Sequence, residues 1–245
     1  MKKVLITGAN KSIGFETARQ LAKRNYYIYL GSRDEKTGEE AVEKLRKEGL
    51  PNVEALIIDV SQPASVATAR EVLSAKTEVL DILINNAGIS GGFPQPASTT
   101  DLKTIQEVFN TNFFGTINVT QAFLDLLKKS EQPVIVNVTS GLASLTLQKD
   151  PSWQFYKSKS AAYGPSKTAL NAYTIALAYE MRDTPFKINA VDPGYTATDF
   201  NRHAGHNDVS TAASHIVKVA TTDKSGPTGK YISWDNNPST GDSPW

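Results

Sequence analysis

Short apolar runs rich in β-branched residues alternate with longer amphipathic stretches along the whole chain, and this alternation limits the fold more than any other feature. The strand-like runs are Val4–Thr7, Tyr26–Leu30, Val53–Ile58, Ile82–Asn85, Val134–Thr139, Lys187–Val191 and Gly229–Ile232. The helix-like stretches include Ile13–Arg24, Thr37–Glu48, Ser65–Leu73, Leu102–Lys129 and Pro165–Arg182. Most of the strand-like runs lack polar alternation, which is typical of strands buried on both faces of a parallel sheet. The order predicts right-handed βαβ units and an open, doubly wound α/β sheet with helices on both faces.

The chain shows no internal repeat, low-complexity tract or linker, so its 245 residues are predicted to form one domain, residues 1–245. Two segments lack periodicity and are predicted to be loops, Leu145–Ser160 and His203 to about Ser210. The tail from Ser233 is rich in small polar residues but ends in Trp245. This residue either packs on a neighbouring surface or belongs to a mobile tail.

Charge and cysteine content exclude several functional classes. Lys and Arg number 26 against 25 Asp and Glu, for a net charge of +1, so nothing favours a nucleic-acid or anionic-membrane partner. With no cysteine the chain has neither a disulfide framework nor a thiolate nucleophile. Neither a secretory apolar segment nor a run of about 20 apolar residues is present, so we expect a protein of the cytoplasm.

A glycine-containing loop, Gly8 to Gly14, follows the first strand and leads into a helix. Glycines let the backbone approach a ligand closely, and the free N–H groups of a helix N-terminus bind phosphate. Lys11 adds a positive charge. The spacing is neither Gly-x-Gly-x-x-Gly nor a P-loop, so by itself the loop is either a phosphate site or a tight turn without a ligand.

The second strand ends at Ser32 and Arg33, where a dinucleotide site faces the adenosine ribose. A carboxylate there binds the 2′-hydroxyl of NAD, whereas Arg suits the 2′-phosphate of NADP. Lys11, Ser32 and Arg33 together favour NADP. A register error of one residue would place Asp34 at the ribose, but Asp is also a preferred residue at a helix start.

Tyr163 and Lys167 are four residues apart at the start of a strong helical pattern, so they share one helix face. An ammonium about 5 Å from a phenol, at an effective dielectric of about 20, favours the phenolate by about 3 kcal/mol. That energy corresponds to a pKa lowered by about two units, toward the range of general acid–base catalysis. Alone, the pair is equally well a surface pair on an amphipathic helix.

The order of the motifs makes the signal specific. Thr7-Gly8-x-x-x-Ser12-x-Gly14 is followed by Asn85-Asn86-Ala87-Gly88, Asn112, Ser140, Tyr163-x-x-x-Lys167 and Asp192-Pro193-Gly194 with Thr196 and Thr198. The set resembles the short-chain dehydrogenase/reductase family over nearly the whole chain. The Lys11 loop and Asn112-Phe-Phe-Gly-Thr116 are most similar to its NADPH-dependent carbonyl reductases. The resemblance implies a single-domain Rossmann fold with a central, mostly seven-stranded parallel sheet flanked by helices.

The resemblance also implies roles for individual residues. Tyr163 would be the general acid and base, Ser140 would hold the carbonyl oxygen, Lys167 would lower the Tyr163 pKa and bind the nicotinamide ribose, and Asn112 would anchor a proton-relay water. The implied cofactor-binding residues are Gly8, Asn10, Lys11, Ser12, Ile13, Gly14, Ser32, Arg33, Asp59, Val60, Asn86, Ala87, Gly88, Tyr163, Lys167, Pro193, Gly194, Thr196 and Thr198.

Three features depart from the family pattern. Ser12 replaces the middle glycine of the loop and would be strained at positive φ, or else its hydroxyl binds phosphate. The gap between Ser140 and Tyr163 is longer than usual, and the extra residues either line the substrate pocket or form a surface loop. The segment after Thr198 is short; it holds His203 and His206, for which a metal site is the less favoured reading, and no metal is expected.

These observations predict an NADP(H)-dependent oxidoreductase that reduces ketones and aldehydes to alcohols. The alternatives are a 3-oxoacyl-thioester reductase and a catalytically idle NADP(H)-sensing protein. Phe93, Trp153 and Tyr195 suggest an apolar or aromatic ketone as substrate. The resemblance implies a homo-oligomer, dimer or tetramer, although some carbonyl reductases block the pairing helices with an insertion before the catalytic Tyr.

Overall fold

The computed structural model describes residues 1–245, and its seven strands form one parallel sheet. The strands are β1 (Lys3–Ile6), β2 (Tyr27–Ser32), β3 (Val53–Ile57), β4 (Ile82–Asn85), β5 (Val134–Val138), β6 (Lys187–Asp192) and β7 (Tyr231–Ser233). Their order across the sheet is β3-β2-β1-β4-β5-β6-β7, with every neighbouring pair parallel. The predicted doubly wound Rossmann fold is confirmed.

Eight helices cover the two faces of the sheet. They are α1 (Ser12–Lys23), α2 (Glu35–Lys47), α3 (Pro63–Ser74), α4 (Leu102–Phe109), α5 (Gly115–Leu127), α6 (Leu145–Gln148), α7 (Tyr163–Glu180) and α8 (Val209–Ala220). None of these helices is long and apolar enough to cross a bilayer.

Each face of the sheet has its own hydrophobic core because successive side chains of a strand point to opposite sides. Val4 and Ile6 of β1 pack in a core of 24 buried residues with α1, α2 and α8. Leu5 packs in a second core of 20 buried residues with α3, α5 and α7. Burial on both faces accounts for the near-continuous apolar strands.

Three predicted boundaries were wrong. The single helix expected over Leu102–Lys129 is divided by a π-helical turn, Asn110–Phe114. The predicted loop Leu145–Ser160 begins instead with the short helix α6. Ser144 caps this helix, because its hydroxyl accepts a hydrogen bond from the Leu147 N–H. Asp59 and Val60, expected to end the third strand, lie beyond β3.

The tail packs on the body of the protein. The rings of Trp245 and Tyr231 have centroids 5.6 Å apart. The main-chain oxygen of Trp245 accepts hydrogen bonds from the backbone N–H of Thr146, at 3.2 Å, and from its hydroxyl, at 2.9 Å. Of the two alternatives for this tail, packing on a neighbouring surface is the one observed.

Candidate active site

The strand order reverses between β1 and β4, and the loops that follow these two strands diverge to opposite faces of the sheet. Ligands of doubly wound sheets bind in the crevice at this point, outside the carboxyl ends of the strands. The Thr7 hydroxyl closes the base of the crevice by accepting hydrogen bonds from the N–H groups of Asn86 and Ala87, each at 3.0 Å. The two strand ends that border the crevice are therefore rigidly connected.

The Gly8–Gly14 loop rises over this crevice and is held by a side chain from the β4 end. The amide nitrogen of Asn86 donates to the main-chain oxygens of Thr7, at 2.9 Å, and Gly8, at 3.0 Å. Gly8 has a positive φ of 61°. A Cβ added to Gly14 would lie 2.5 Å from both the Asn86 amide nitrogen and the Gly8 oxygen, so no larger residue fits there. Asn86, predicted beside the ribose, therefore braces the phosphate-type loop.

Ser12 has a positive φ of 53° and opens α1 after Lys11. The strain foreseen at this position is thus present, since an L residue in left-handed conformation costs about 1–2 kcal/mol.

Replacing Ser12 with Gly should raise the free energy of unfolding by about 0.5–1 kcal/mol, because relief of this strain exceeds the extra backbone entropy of glycine. Urea unfolding of the two proteins measures the difference. A destabilised Ser12→Gly protein would show that the Ser12 side chain contributes contacts that outweigh its strained backbone.

The adenosine end of the crevice gathers three small polar side chains. The buried Ser32 hydroxyl donates to the Asp34 oxygen at 2.7 Å and lies 3.3 Å from the Thr37 hydroxyl. The Asn10 amide donates to the Thr37 hydroxyl at 3.2 Å. Thr37 was missed by the sequence analysis. The available signal was Asp34 as a preferred residue at a helix start, because a cap at Asp34 places Thr37 in the first turn of α2.

Asp34 caps the start of α2. Its carboxylate accepts a hydrogen bond from the Thr37 N–H at 2.8 Å, and this bond lowers the pKa of the exposed Asp34 carboxyl. The neighbouring Arg33 is exposed and forms no ion pair within 4.0 Å. The end of β2 therefore presents an exposed guanidinium without an ion pair within 4.0 Å, next in sequence to the buried Ser32.

Asp59 and Val60 lie on the far side of β2 from the loop, in the turn between β3 and α3. The Asp59 carboxylate accepts from the N–H and the hydroxyl of Ser61, at 3.0 and 2.7 Å. Val60 is buried and would collide with a Cβ on Gly115, at 2.9 Å. Their predicted adenine contact stays a prediction.

Tyr163 is the first residue of α7, and Lys167 follows one turn later in the same helix. Lys167 is buried, and its ammonium donates to the Val138 oxygen at the end of β5 at 2.8 Å. Burial lowers the pKa of Lys167 to about 8. A Cβ on Gly88 would lie 3.5 Å from the Lys167 nitrogen and 3.3 Å from the Asn112 side-chain oxygen, so these three predicted residues converge.

Burial raises the pKa of the Tyr163 phenol above its usual range, and the negative charge of Asp192 adds to this. The Ser140 side chain opposes the shift in part through a hydrogen bond. Lys167 is not among the groups that shift the Tyr163 pKa, so the lowering expected from it is not observed. Tyr163 is accordingly a protonated phenol beside the Ser140 hydroxyl at neutral pH.

Asn112 lies in the π-helical turn and is fully buried. Its amide nitrogen donates to the Ile89 oxygen and to the Ser166 hydroxyl, both at 3.0 Å, and its oxygen accepts from the Ile89 N–H at 2.8 Å. Single π turns occur frequently at functional sites. Here the turn brings Asn112 to the segment after β4 and to the helix that carries the Tyr163–Lys167 pair.

Ser140 follows β5, and its main chain is held by a residue that the sequence did not single out. The buried Tyr231 of β7 donates from its hydroxyl to the Ser140 oxygen at 2.8 Å. The Ser140 hydroxyl also accepts a hydrogen bond from the Leu142 N–H at 3.2 Å. No local pattern predicts a contact between residues 91 positions apart.

The segment after β6 forms a tight turn across the crevice. Gly194 has a φ of 88°, and a Cβ there would lie 2.4 Å from the Asn207 amide nitrogen. The Thr196 hydroxyl donates to the Gly194 oxygen at 3.0 Å. Thr196 and Thr198 are both buried. The predicted nicotinamide-facing residues therefore lie in a rigid, well-bonded turn at the carboxyl end of β6.

Lys11 and Asp199 join the two sides of the crevice. Their side chains are 3.4 Å apart, although Lys11 belongs to the loop after β1 and Asp199 to the segment after β6. Both are largely exposed, so the pair contributes little to stability.

Two aromatic rings flank Tyr163. The ring centroid of Phe200 is 5.2 Å away and that of Phe93 is 6.2 Å away, both in edge-on geometry. Phe93 and Phe200 remain 48% and 40% exposed, so their free faces border the opening toward the phenol. The approach to Tyr163 is therefore apolar and aromatic.

The long segment before Tyr163 reaches the same region. The Phe155 ring packs against Trp153, at 5.4 Å, and against Tyr195 of the turn after β6, at 5.6 Å. It also stacks on His206 at 6.4 Å. These contacts join the long segment to the turn after β6, and the choice between lining or covering the substrate pocket and forming a surface loop stays a prediction.

His203 and His206, the two histidines after Thr198, lie beside different carboxylates. His203 lies 3.1 Å from an Asp199 oxygen, and His206 lies 3.2 Å from an Asp235 oxygen. No group of three or more His, Cys, Asp or Glu side chains is arranged to hold a metal ion.

A doubly wound parallel sheet, a glycine-containing loop after β1, and a Tyr–Lys pair with Lys167 buried and Tyr163 half-buried define a Rossmann-fold protein with a candidate catalytic site. The family model described as short chain dehydrogenase matches residues 2–208. The chain therefore belongs to the short-chain dehydrogenase family of oxidoreductases, which confirms the resemblance read from its motifs.

Relatives of known activity cover nearly the whole chain. The chain is 31% identical to (+)-neomenthol dehydrogenase of Capsicum annuum, over 93% of this chain and 94% of the relative. The solved salutaridine reductase of Papaver somniferum superposes with a TM-score of 0.83 at 27% identity, covering 94% and 99% of the two chains. An NADPH-bound carbonyl reductase from chicken fatty liver superposes with a TM-score of 0.86 at 25% identity, covering 100% and 99%.

Proposed function

We propose that the protein is an NADP(H)-dependent oxidoreductase that reduces ketones and aldehydes to alcohols, with Tyr163 as the general acid. In the reverse direction Tyr163 acts as the general base. The observation that carries the proposal is the half-buried Tyr163 phenol beside Ser140, at the mouth of the crevice of a short-chain dehydrogenase.

The chain's donor groups fit a dinucleotide. The Gly8–Gly14 loop is closed to side chains at Gly14, which leaves its backbone free to lie against a pyrophosphate at the start of α1. The residues that would hold the cofactor are Gly8, Asn10, Lys11, Ser12, Ile13, Gly14, Ser32, Arg33, Asp59, Val60, Asn86, Ala87, Gly88, Tyr163, Lys167, Pro193, Gly194, Thr196 and Thr198. When bound, the cofactor supplies the hydride, and the protein supplies position and a proton.

NADP(H) is favoured over NAD(H) by the end of β2. Arg33 has no acidic partner, Ser32 is a small neutral residue, and Asp34 is occupied at the start of α2. An unpaired guanidinium matches a phosphate in geometry and charge. The carbonyl reductase from chicken fatty liver, which superposes over the whole chain, is itself NADPH-bound.

Replacing Arg33 with Asp should therefore change the cofactor preference from NADPH toward NADH. The variant loses a partner for the 2′-phosphate and gains a charge that repels it. We expect the kcat/KM with NADPH divided by the kcat/KM with NADH to fall by about tenfold to a hundredfold. The control is Arg182→Asp, which makes the same charge change in an exposed Arg just beyond the far end of α7. An unchanged ratio in Arg33→Asp would place the 2′-phosphate elsewhere.

The electrostatics of the site suit reduction. Negative charge develops on the carbonyl oxygen as hydride arrives, and the hydroxyls of Ser140 and Tyr163 are donors that stabilise it. Because burial raises the Tyr163 pKa, the phenol keeps its proton at neutral pH and has it available to give. Reduction begins with the protonated phenol, which is the form present at neutral pH, whereas alcohol oxidation begins with the phenolate and should therefore speed up as the pH rises.

Lys167 and Asn112 complete the proposed site. With a pKa of about 8, Lys167 is mainly an ammonium at neutral pH and would bind the nicotinamide ribose. The Asn112 side chain is fully engaged by Ile89 and Ser166, so its first role is to fix the π-helical turn against α7. A proton-relay water at Asn112 stays part of the proposal.

The rings of Phe93 and Phe200 support an apolar or aromatic ketone as substrate. No charged side chain is paired with either ring, and their free faces offer flat apolar surface on two sides of Tyr163. An acyl-carrier or CoA thioester carries acidic phosphates that require cations near the opening. The aromatic border therefore favours the ketone over the 3-oxoacyl thioester.

The experiment is a substrate panel with the purified protein. Loss of reduced cofactor is followed with NADPH and separately with NADH, on cyclic and aromatic ketones, aldehydes and 3-oxoacyl thioesters. We expect the highest kcat/KM with NADPH and an apolar ketone. Preference for thioesters would contradict the proposed substrate class, and NADPH binding without turnover of any substrate would favour the idle sensor.

A further inference from the structure

Asp192, the last residue of β6, is a buried carboxylate that the proposed mechanism does not use. Asp192 is 4% exposed, and no charged nitrogen of Lys, Arg or His lies within 4.0 Å of its carboxylate oxygens. A buried charge without a cation is costly unless several donors hold it. Asp192 has three donors nearby: the Gly194 N–H at 3.0 Å and the Ser233 hydroxyl at 2.7 Å donate hydrogen bonds to its carboxylate, and the Gly141 peptide lies against it.

The three donors belong to three different strand ends. Gly141 is in the turn after β5, directly after Ser140, while Gly194 is in the turn after β6 and Ser233 ends β7. A Cβ on Gly141 would lie 3.2 Å from an Asp192 oxygen, so the carboxylate presses closely on that turn. One side chain thus connects the turn that carries Ser140 with the turn expected to face the nicotinamide.

Ser140 is held from a second side by β7. The Tyr231 hydroxyl donates to its main-chain oxygen at 2.8 Å, and the Asp192 carboxylate lies against the next peptide unit, that of Gly141. With two anchors on adjacent peptide units, the position of the Ser140 hydroxyl is set by β6 and β7 as well as by β5.

We propose that Asp192 is a positioning residue, which fixes Ser140 and the Gly194 turn relative to each other, and that its charge acts on the Tyr163 phenol. The part of this inference that concerns turnover rests on the proposed function. The part that concerns the Tyr163 charge does not, because it is measured on the protein alone.

The direction of the charge effect follows from the groups around Asp192. Tyr163 at the start of α7, Tyr231 on β7 and Asp235 after β7 are the titratable groups that face it. The Asp192 charge raises the pKa of Tyr163, and burial together with Asp235 raises the pKa of Asp192 itself, against the effect of its three donors. At the alkaline pH where Tyr163 ionises, Asp192 is a carboxylate, so its removal lowers the Tyr163 pKa.

The test compares Asp192→Asn with the wild type. The substitution keeps the side-chain shape and the hydrogen bond from the Gly194 N–H, and it removes the negative charge. It also turns an amide NH2 group toward neighbours that are themselves hydrogen-bond donors. The Tyr163 ionisation is followed by NMR of carbon-13-labelled tyrosine, with Tyr163→Phe to assign the signal. We expect Tyr163 to titrate at lower pH in Asp192→Asn, and kcat to fall by about tenfold to a hundredfold with a smaller change in KM, as for a small misplacement of a catalytic group.

The matched control is Asn189→Ala, which removes a buried polar side chain from the same strand. Asn189 bonds the Pro227 oxygen and the Lys230 N–H, so it ties β6 to the chain before β7 without reaching Ser140. We expect Asn189→Ala to lose stability but to keep the kcat and the Tyr163 titration of the wild type. A merely structural role of Asp192 predicts the same pattern for both variants.

Ser233→Ala covers the case in which Asp192→Asn fails to fold. It removes one anchor and leaves the carboxylate, so kcat should fall without a lowered Tyr163 pKa. The inference is overturned if Tyr163 titrates identically in Asp192→Asn and the wild type, or if Ser233→Ala keeps full kcat. A wild type without turnover on any ketone contradicts the proposed function instead, and the NMR titration then still decides the effect of Asp192.

Discussion

Replacing Tyr163 with Phe should remove nearly all turnover while leaving NADPH binding intact. The variant loses the proton that the carbonyl oxygen must receive, and we expect kcat to fall by about a hundredfold to ten-thousandfold, the usual contribution of a positioned general acid. The ring keeps its contacts with Phe93 and Phe200, so the fold and the apolar border of the site are retained. Initial rates with the best ketone, together with cofactor fluorescence titration, measure the two effects.

Tyr179→Phe is the matched control for this loss. Tyr179 lies on the same helix α7, is 68% exposed, and is on the solvent side away from Ser140. Its substitution should leave kcat unchanged. Full turnover in Tyr163→Phe would rule out Tyr163 as the proton donor, whereas loss of both turnover and NADPH binding would show that the phenol serves the cofactor site.

Replacing Gly14 with Ala should abolish dinucleotide binding. The added Cβ would lie 2.5 Å from the Gly8 oxygen and from the Asn86 amide nitrogen, and 2.9 Å from the Ala9 Cα, so the loop must move away from β4. Overpacking of this kind costs about 1–3 kcal/mol of stability. Because the displaced backbone is the part that approaches the phosphates, we expect a large rise in the Kd for NADPH, measured by calorimetry.

Gly49→Ala separates the binding loss from a general loss of stability. Gly49 also has a positive φ, of 81°, but open space surrounds it, in the turn after α2. That variant should lose about 1 kcal/mol of stability from backbone strain and bind NADPH normally. Wild-type affinity in Gly14→Ala would mean that the Gly8–Gly14 loop does not approach the cofactor.

The parallel sheet was predictable because strands buried on both faces are apolar throughout, as in Val4–Ile6 and Val134–Val136. Helix α8 was not predicted although its signal is present: Asp208 caps it, and Ala212, Ala213, Ile216 and Val217 are buried at helical spacing. The π-helical turn at Asn112 was not predictable, since its extra residue per turn leaves no mark in the apolar period.

The candidate site shows where sequence reasoning stops. The spacing of Tyr163 and Lys167 correctly places both at one end of a helix, but the direction of the Tyr163 pKa depends on burial and on Asp192, far away in the chain. The same holds for Tyr231, whose bond to Ser140 joins residues brought together only by the sheet order. Motifs predict which residues meet, whereas side-chain partners and desolvation decide how they titrate.

The proposed reaction transfers a hydride from NADPH directly to the carbonyl carbon of the substrate, and isotope labelling follows that transfer. The protein is incubated with NADPH that carries deuterium in place of both hydrogens at the reactive nicotinamide carbon and with the best ketone of the panel, and the alcohol is analysed by mass spectrometry and NMR. We expect one deuterium on the carbinol carbon of each alcohol molecule, and Tyr163→Phe should form this alcohol about a hundredfold to ten-thousandfold more slowly. Bound, labelled NADPH that transfers no deuterium to any carbonyl substrate would contradict the proposed transfer.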